Sequence, residues 1–513
     1  MKRKHPKIRT EDSSKKSELK EMPFGFQALI IGIACIIGYF SILSVGFLCD
    51  DFVFLYGMKR GIVMDMASGG VYFRPFAILW SAIDWLIFGL RPFGYHLVNL
   101  AWHIAASIGV ALLARSFVPR HNASLLAGLI FALHPAHPEA VTWISGRFDV
   151  ICGALSVWSL VLYTWQTDLQ TSRSRFFRVA SIALFGLACL SKEQALIFPI
   201  TVMLYEFFPF ADKSSTSTPA SIKIRRALPY FIVAALMFGF RLFVFGGIGG
   251  YIPDESHKNL LAKSLYHLGL QPFIILFHPL NRSLLDKTSL GWILTTSLLL
   301  LAPLLFAFKS SRRILLFCVL AIIVSAIPSA HLGIAEGSLQ NSRFLYTPSV
   351  FFSILIAALF SAGFESKWKK AASLLTVLYI FTLLLCLFQN NYPWQEAGRI
   401  VQKAEASTIP LHENHKGEWG TKIKRIVAFN VPSDYMGAWV FKNGLPEMLG
   451  IKYDDLRAME SIKVIPAGVQ TSETVQEAEQ AAKQGAVVWL FRTIDSTLAE
   501  YGQSNQGADS IIQ

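Results

Sequence analysis

Long apolar segments recur along this chain, and they constrain its fold more than any other feature. Runs of about 16 to 22 mostly apolar residues are long enough to cross a hydrocarbon layer of roughly 30 Å as helices. Only 16% of the 513 residues are charged, whereas soluble globular proteins carry about a quarter. The sequence therefore predicts a polytopic α-helical membrane protein.

About eleven segments are candidates for transmembrane helices. They cover roughly 27–47, 96–115, 122–134, 148–165, 178–191, 194–209, 228–247, 291–308, 313–329, 346–362 and 371–389. If the N-terminus is cytoplasmic, the Lys and Arg clusters of the connecting loops all fall on the cytoplasmic side, as the positive-inside rule requires. The net charge of +13 therefore reflects membrane topology and does not indicate a nucleic-acid partner. Residues 1–26 are then a cytoplasmic basic tail before a retained signal anchor.

Two further apolar segments are not expected to cross the membrane. If residues 259–280 crossed, every later basic loop would move outside, so we expect them to lie at the outer interface or to re-enter. Residues 75–90 are short for a span and contain Asp84. They are predicted to form an amphipathic helix on the outer surface, with Asp84 on its wet face.

The end of the chain differs in composition from residues 27–390. An odd number of spans places residues 391–513 on the outer side of the membrane. Within them KIKRIVAFNVP and AVVWLFR are strand-like, and SETVQEAEQAAKQG is helix-like. The sequence predicts a small extracytoplasmic α/β domain here.

Ionisable side chains collect in the loops that this topology places outside. They are Asp50, Asp51 and Arg74 in the first outer loop, His134, His137, Glu139 and Arg147 in the second, Lys192 and Glu193 in the third, Arg343 and Tyr346 after the ninth span, and Arg241 in the outer half of the seventh span. A charge within a span costs about 2.5–3.5 kcal/mol, so an ionisable residue there indicates function by default. Acids and cations on one side of the membrane predict a site with both a base and anion ligands.

Glycosyl transfer from a polyprenyl-phosphate sugar needs such a set of groups. A carboxylate takes the proton of the acceptor hydroxyl, and cations stabilise the leaving phosphate. Asp50 or Asp51 is the candidate base, and four cations are candidate phosphate ligands: Arg74, Lys192, Arg241 and Arg343. No nucleotide-binding loop is present in the sequence, and a lipid-linked donor needs none.

Several of these residues have a second interpretation. His134, His137 and Glu139 are ligand types that a divalent metal accepts. The prolines between them disturb helical spacing, so we favour substrate contact or loop structure and expect neither a metal nor another cofactor. Arg147 could pair with Asp149 at a helix start, and Lys192 could be an interfacial lysine whose amine reaches water. Arg241 could pair with an acid from a neighbouring helix, and Arg343 and Tyr346 could be solvated loop residues.

The order of the polar motifs resembles a known family. The chain presents DD after the first span, then FRPF, PFGYHLVNLAWH, FALHPAHPEAVTWISGRFDV, LSKEQALIFP and SRFLYTPSV. This order is similar to the membrane region of the transmembrane and tetratricopeptide-repeat O-mannosyltransferases and of their bacterial relatives in the GT-C glycosyltransferase superfamily. The resemblance covers about residues 27–390 and is strongest over 48–208.

The resemblance implies a GT-C fold with its active site on the exoplasmic face. It implies a dolichyl- or undecaprenyl-phosphate sugar as donor, inversion at the anomeric carbon, and a base at Asp50 or Asp51. The HPxHPE motif falls on His134, His137 and Glu139, and the SKEQ motif on Lys192 and Glu193. The chain departs from the family where the α/β domain replaces the repeats, so the acceptor, a protein or a glycan, stays open. We expect a bacterial inner-membrane location.

A transporter or lipid-linked glycan flippase is the alternative function. Transporters place ionisable groups near the middle of the bilayer, often on broken helices in paired repeats. Here the charges lie towards one face, and no internal repeat is evident in the sequence. A catalytically inactive relative whose outer domain binds a partner is a third possibility, and the intact motifs argue against it.

Overall fold

The structure, a computed structural model, describes residues 22–62, 73–118, 122–166, 171–208, 218–245, 260–284, 290–306, 312–458, 460–468 and 472–500. Most of these residues are helical. The helices up to residue 364 are α1 (Phe24–Tyr39), α2 (Asp50–Arg60), α3 (Pro75–Phe88), α4 (Pro92–Phe117), α5 (Ala123–Ala132), α6 (Pro138–Val141), α7 (Arg147–Thr164), α8 (Ser172–Cys189), α9 (Phe198–Phe207), α10 (Ala220–Phe245), α11 (Leu260–Gly269), α12 (Gln271–Phe277), α13 (Leu290–Leu304), α14 (Arg312–Ala326) and α15 (Pro348–Phe364).

Each of the eleven predicted spans coincides with a helix. Among the described residues, six helices are long and apolar enough to cross a membrane. They are Phe24–Ser44, Pro92–Phe117, Ile144–Thr164, Ala220–Phe245, Arg312–Ser329 and Lys369–Glu413. The chain is thus a multi-pass membrane protein, and the count of eleven crossings stays a prediction. The segment 259–280 contains only two short helices, α11 and α12, in its described part.

Helix α7 lies at the centre of the bundle. Almost all residues of Ile144–Thr164 are buried by protein, whereas most of Ala220–Phe245 is not covered. A glycine allows the turn that leads into α7. A Cβ added at Gly146 would lie 2.3 Å from the carbonyl oxygen of Glu139. Only glycine lets the HPxHPE loop fold this tightly against the start of the central helix.

The last membrane helix continues through the predicted domain boundary. Helix α16 (Lys369–Glu413) is 45 residues long, so residues 391–413 are helical and continuous with the predicted span. Two buried asparagines fix this helix to the second outer loop. Asn390 donates to the carbonyl of Pro135 at 2.6 Å, and Asn391 accepts from Thr142 at 2.6 Å. The α/β part therefore begins after this helix rather than at residue 391.

The C-terminal region is built on a four-stranded sheet. Its elements are β1 (Arg425–Val431), β2 (Asp434–Tyr435), β3 (Ala438–Trp439), α17 (Leu445–Lys452), β4 (Ser461–Pro466), α18 (Ser472–Lys483), β5 (Val487–Arg492) and β6 (Thr497–Glu500). The sheet order is β4-β1-β5-β6; β1 pairs in parallel with β4 and β5, and β6 is antiparallel to β5. Strand β1 lies at the centre and is apolar on both faces, as expected for a covered parallel strand. The strands and the helix predicted from the three sequence segments are present.

Candidate active site

The first and second predicted outer loops are joined through Asp51. Its side chain is 2% exposed. One carboxylate oxygen accepts from the backbone N–H of Ser145 at 2.8 Å and from the Ser145 hydroxyl, and the other accepts from the N–H of Leu48 at 2.9 Å. Burial raises the pKa of Asp51 to about 7, although these hydrogen bonds oppose the rise. Asp51 therefore anchors one loop to the other.

Asp50, the preceding residue, has a different environment. It is half-buried, and its Oδ1 atom accepts a hydrogen bond from Nδ2 of Asn443 at 2.8 Å. Cys49, immediately before it, has φ 48° and ψ −119°, a conformation that residues with a Cβ rarely adopt. Of the two candidate bases, Asp50 is the more exposed.

Arg147 is buried among acceptors. Its Nη1 atom lies 2.6 Å from a carboxylate oxygen of Asp84, its Nε donates to Asn99 at 3.0 Å, and its Nη2 donates to the carbonyl of Tyr95 at 3.2 Å. The expectation that Asp84 faces water is wrong, because Asp84 is 1% exposed. The alternative pairing of Arg147 with Asp149 is also wrong, since Asp84 takes that place. This ion pair ties α3 to the start of α7.

Lys192 forms a second buried ion pair. Its Nζ atom lies 2.6 Å from both carboxylate oxygens of Asp149, on α7. It also lies 4.9 Å from the ring centroid of Phe344. Lys192 is 2% exposed, so the alternative of an interfacial lysine that reaches water is wrong. Its charge is neutralised inside the protein.

Glu139 connects three parts of the chain. Its Oε2 accepts from the backbone N–H of Arg343 at 3.1 Å, and its Oε1 accepts from the guanidinium of Arg343. The indole N–H of Trp439, in the C-terminal region, donates to the same Oε1 at 3.0 Å. Both Glu139 and Arg343 are buried, so Arg343 is not a solvated loop residue.

The two histidines of the HPxHPE motif are buried in separate hydrogen bonds. The Nε2 atom of His134 lies 3.1 Å from the carbonyl oxygen of Leu276, and its Nδ1 accepts from the N–H of Ala136 at 3.2 Å. The Nε2 atom of His137 lies 2.7 Å from the hydroxyl of Ser349. Within the described ranges, no three His, Cys, Asp or Glu side chains form a group that could hold a metal ion. These contacts indicate a structural role for both imidazoles.

Tyr346 lies below this loop against α7. Its hydroxyl is 2.8 Å from Nδ1 of His103, and a Cβ added at Gly153 would lie 2.6 Å from its ring. Tyr346 is 1% exposed and is therefore a packing residue in this structure, not a solvated one.

Arg74, Glu193 and Arg241 form a further group of charges, in which the side chain of Glu193 is partly exposed. Arg74 donates two hydrogen bonds to the carboxylate of Glu193, at 3.2 and 2.7 Å, and Arg241 lies 3.7 Å from it. Burial alone would raise the pKa of Glu193, but the guanidinium of Arg74 outweighs it and lowers that pKa to about 2. Two guanidinium groups thus converge on one carboxylate. The pairing of Arg241 with an acid, anticipated as the alternative, is present.

Phe148 links this cluster to the helix that begins at Asp50. The guanidinium of Arg74 lies 5.3 Å from the ring centroid of Phe148, and the ring centroid of Phe54 also lies 5.3 Å from it. Phe54 is four residues after Asp50 on α2, so both project from one face of that helix. Phe148 thus contacts both Arg74 and the helix that carries Asp50.

Four residues that the sequence did not single out hold this arrangement. Asn99 and His103 are one turn apart on α4, and both contact site residues. A stripe of polar residues at helical spacing in an apolar span was a signal that could have found them. Trp439 and Asn443 lie in the C-terminal region, and no pattern in the sequence pointed to them.

The chain is similar to known proteins in sequence and in fold. The family model described as dolichyl-phosphate-mannose-protein mannosyltransferase matches residues 74–241. The apo crystal structure of the Archaeoglobus fulgidus oligosaccharyltransferase superposes with a TM-score of 0.52 and 12% identity over 93% of this chain and 70% of that one. The chain has the GT-C glycosyltransferase fold. The mycobacterial arabinofuranosyltransferase AftD superposes on this chain with a TM-score of 0.54 and 10% identity, over 92% of this chain and 35% of that one.

The relatives in sequence are described as protein O-mannosyl-transferases. The human protein O-mannosyl-transferase TMTC3 is 23% identical over 449 residues, which cover 76% of this chain and 48% of the relative. The Drosophila melanogaster protein O-mannosyl-transferase Tmtc1 is 37% identical over 134 residues, 26% of this chain and 15% of that one. The chain spans about half the length of the first of these curated relatives. The expected resemblance to GT-C enzymes is confirmed.

Proposed function

We propose that the chain is a membrane glycosyltransferase which moves a sugar from a polyprenyl-phosphate donor to an acceptor hydroxyl at the exoplasmic face. The observation that carries the proposal is that Arg74 and Phe54 both contact the ring of Phe148, and Phe54 lies one turn after the half-buried carboxylate Asp50 on α2. The relatives named as protein O-mannosyl-transferases favour mannose and a protein acceptor, and a glycan acceptor is the alternative.

Asp50 is the proposed base. It takes the proton as the acceptor oxygen bonds to the anomeric carbon, and the bond from that carbon to the phosphate oxygen breaks. One displacement of this kind inverts the anomeric carbon. Asp51 is unsuited to the role because both of its oxygens already accept hydrogen bonds and its side chain is 2% exposed.

Arg74 and Arg241 are the proposed ligands of the leaving phosphate. Their guanidinium groups converge on the carboxylate of Glu193, and guanidinium is a ligand type that suits a phosphate. The side chain of Glu193 holds the two guanidinium groups in place before the donor arrives. Lys192 and Arg343 are neutralised by Asp149 and Glu139, and we assign them a positioning role. The reaction as proposed uses no cofactor.

We also propose an orientation of the chain in the membrane. The N-terminus lies in the cytoplasm of a bacterial cell and the C-terminal region outside the inner membrane, which puts Asp50 and the cationic cluster at the outer headgroup level. A lipid-linked donor can then place its phosphate at the cluster and its chain in the bilayer. The positive-inside distribution of Lys and Arg supports this orientation.

The proposal is tested with the full-length protein in proteoliposomes and a panel of polyprenyl-phosphate sugars, by measuring the polyprenyl phosphate released. We expect Asp50→Asn to lower kcat by about 10²- to 10⁴-fold, the usual contribution of a general base, with little change in donor KM. Arg60→Gln, an exposed change on the same helix, is the control and should keep wild-type turnover.

Full turnover by Asp50→Asn would remove the proposed base. Uptake of labelled lipid-linked sugar across the vesicle membrane without release of polyprenyl phosphate would favour the flippase instead. Both variants are compared by melting temperature in the same detergent, so that a folding defect is not read as a catalytic one.

A further inference from the structure

A segment of the C-terminal region reaches into the proposed active site. We call residues 434–444 the arm. The arm follows β1, contains the short strands β2 and β3, and ends where α17 begins. Strand β1 is paired on both sides in the four-stranded sheet, so the arm extends from an inner strand of this region.

Polar contacts join the arm to separate parts of the membrane region. Asn443 donates to the carboxylate of Asp50 at 2.8 Å, and the indole of Trp439 donates to Glu139 at 3.0 Å. The carbonyl of Met436 accepts from the side chain of Asn281 at 2.8 Å. The arm therefore contacts the first outer loop, the HPxHPE loop and the segment after α12 at once.

The arm is packed as part of a protein interior. Trp439, Val440 and Phe441 are 6%, 0% and 3% exposed. Gly444 has φ 93°, and a Cβ added there would lie 2.1 Å from the carbonyl oxygen of Cys49. Both the positive φ and the close approach require glycine at this position. The arm is thus fitted to the loop that carries the proposed base.

The contact with Cys49 acts directly on the backbone before Asp50. The N–H of Cys49 donates to the carbonyl of Val440 at 3.0 Å, while Cys49 has φ 48°. A residue with a Cβ holds such a conformation only when its surroundings impose it, and such residues cluster at functional sites. Here the arm supplies the surroundings. It sets the direction in which α2 starts and hence the direction of the Asp50 side chain.

We propose that the arm is part of the active site and that Asn443 is a positioning residue for Asp50. This inference rests on the proposed function. The side-chain amide of Asn443 donates to Oδ1 of Asp50. This hydrogen bond orients the carboxylate and leaves Oδ2 to take the proton of the acceptor hydroxyl. The C-terminal region is then required for transfer, because it fixes the base rather than merely covering the site.

The substitution Asn443→Asp tests the positioning role. It keeps the shape of the side chain, replaces the donor by an acceptor and places a second carboxylate against Asp50. We expect kcat to fall by roughly 10- to 100-fold, the loss expected when a hydrogen bond to a charged group is removed, with donor KM unchanged. Asn443→Gln keeps a donor amide and should recover part of the rate. Lys422→Ala, an exposed change in the same region, is the matched control.

The thiol of Cys49 gives a second readout that does not depend on activity. Cys49 is 1% exposed beneath the arm. In the full-length protein, Gly444→Ala should displace the arm and raise the rate at which a maleimide labels Cys49 by about tenfold or more, because the thiol is reached only after local opening. Asn443→Asp should leave the labelling rate at the wild-type value. Labelled peptides are identified by mass spectrometry, with Cys49→Ser as the background.

The two readouts separate the possible failures. Wild-type kcat in Asn443→Asp overturns the positioning role, even if Asp50→Asn confirms the base. Equal labelling of Cys49 in the wild type and in Gly444→Ala overturns the docking of the arm, whatever the substrate is. If Asp50→Asn keeps full turnover, the proposed function fails first, and the labelling result still decides whether the arm is docked as described.

Discussion

Two groups of charges lie at the same end of the bundle, and they differ in how exposed their carboxylates are. In the first group every charge is buried with a partner: Arg147 with Asp84, Lys192 with Asp149, and Arg343 with Glu139. The second group consists of Asp50, half-buried, and the cluster of Arg74, Glu193 and Arg241. The side chains of Arg147 and Asp84 are 2% and 1% exposed, whereas that of Glu193 is 23% exposed.

The difference distinguishes the charged residues that fix the structure from those proposed to take part in the reaction. A buried ion pair contributes little net stability, but it fixes geometry, because removing one partner leaves an unpaired charge in a dry environment. The first group therefore fixes the loops. The second group holds the more exposed carboxylates, Asp50 and Glu193, and the two guanidinium groups that contact Glu193, and these are the residues proposed to act in transfer. Loss of a residue should accordingly affect folding in the first group and turnover in the second.

The largest effect is expected at the scaffold pair between α3 and α7. Arg147→Met leaves Asp84 buried and unpaired, and should destabilise the protein by about 3–5 kcal/mol. The free energy of unfolding in a detergent titration measures the change.

A double substitution sharpens this result. Replacing both partners, as in Arg147→Met with Asp84→Leu, should recover most of the lost stability, since an apolar pair of similar volume is often neutral. If the single substitution destabilises no more than an exposed change such as Lys422→Ala, the assignment of this pair to the scaffold is wrong.

A smaller effect, on turnover rather than on folding, is expected in the open group. Arg241→Gln removes a cation that lies 3.7 Å from Glu193 while keeping a side chain of similar length. It should reduce kcat/KM for the donor by roughly 10- to 100-fold, as for a hydrogen bond to a charged group, and change the melting temperature little. A variant that unfolds but keeps the kcat/KM of its folded fraction would move Arg241 into the scaffold.

The helices were predictable because each depends on a local run of apolar residues. All eleven predicted segments are helical, although the sequence did not show that the last helix would continue to Glu413. The side chains that gather at one end were also predictable, since loop order follows from topology. Their partners were not. Asp84 and Arg147 are 63 residues apart in sequence, and only packing decides that they meet.

The contribution of the C-terminal region could not be predicted for a similar reason. The sequence of the segment that contains Trp439 and Asn443 indicates only a turn after a strand. Its proposed role depends on how the four-stranded sheet packs against the membrane region. Sequence also left Asp50 and Asp51 equivalent, because the two are adjacent and chemically identical. Ser145 and Asn443, which distinguish them, come from 94 and 393 residues away in the chain.

The smallest expected effect, a pH dependence of stability, distinguishes the two aspartates directly. The pKa of Asp51 is raised by burial to about 7, above its value of about 3.9 in an unfolded chain. A raised carboxyl pKa stabilises the fold below pH 4, and this contribution is lost as the pH rises through 7, because the native state then holds a proton that the unfolded chain has released. The melting temperature of the wild type should therefore fall between pH 4 and 7 relative to that of Asp51→Asn.

Asp50→Asn is the matched control, and its melting temperature should change with pH as that of the wild type does. Glu193, whose pKa is lowered to about 2, changes stability with the opposite sign and mainly below about pH 5, and it does so equally in the wild type and in both variants. Identical slopes in Asp51→Asn and Asp50→Asn would mean that Asp51 is not the buried anchor, and the contrast between the neighbours would have no physical basis.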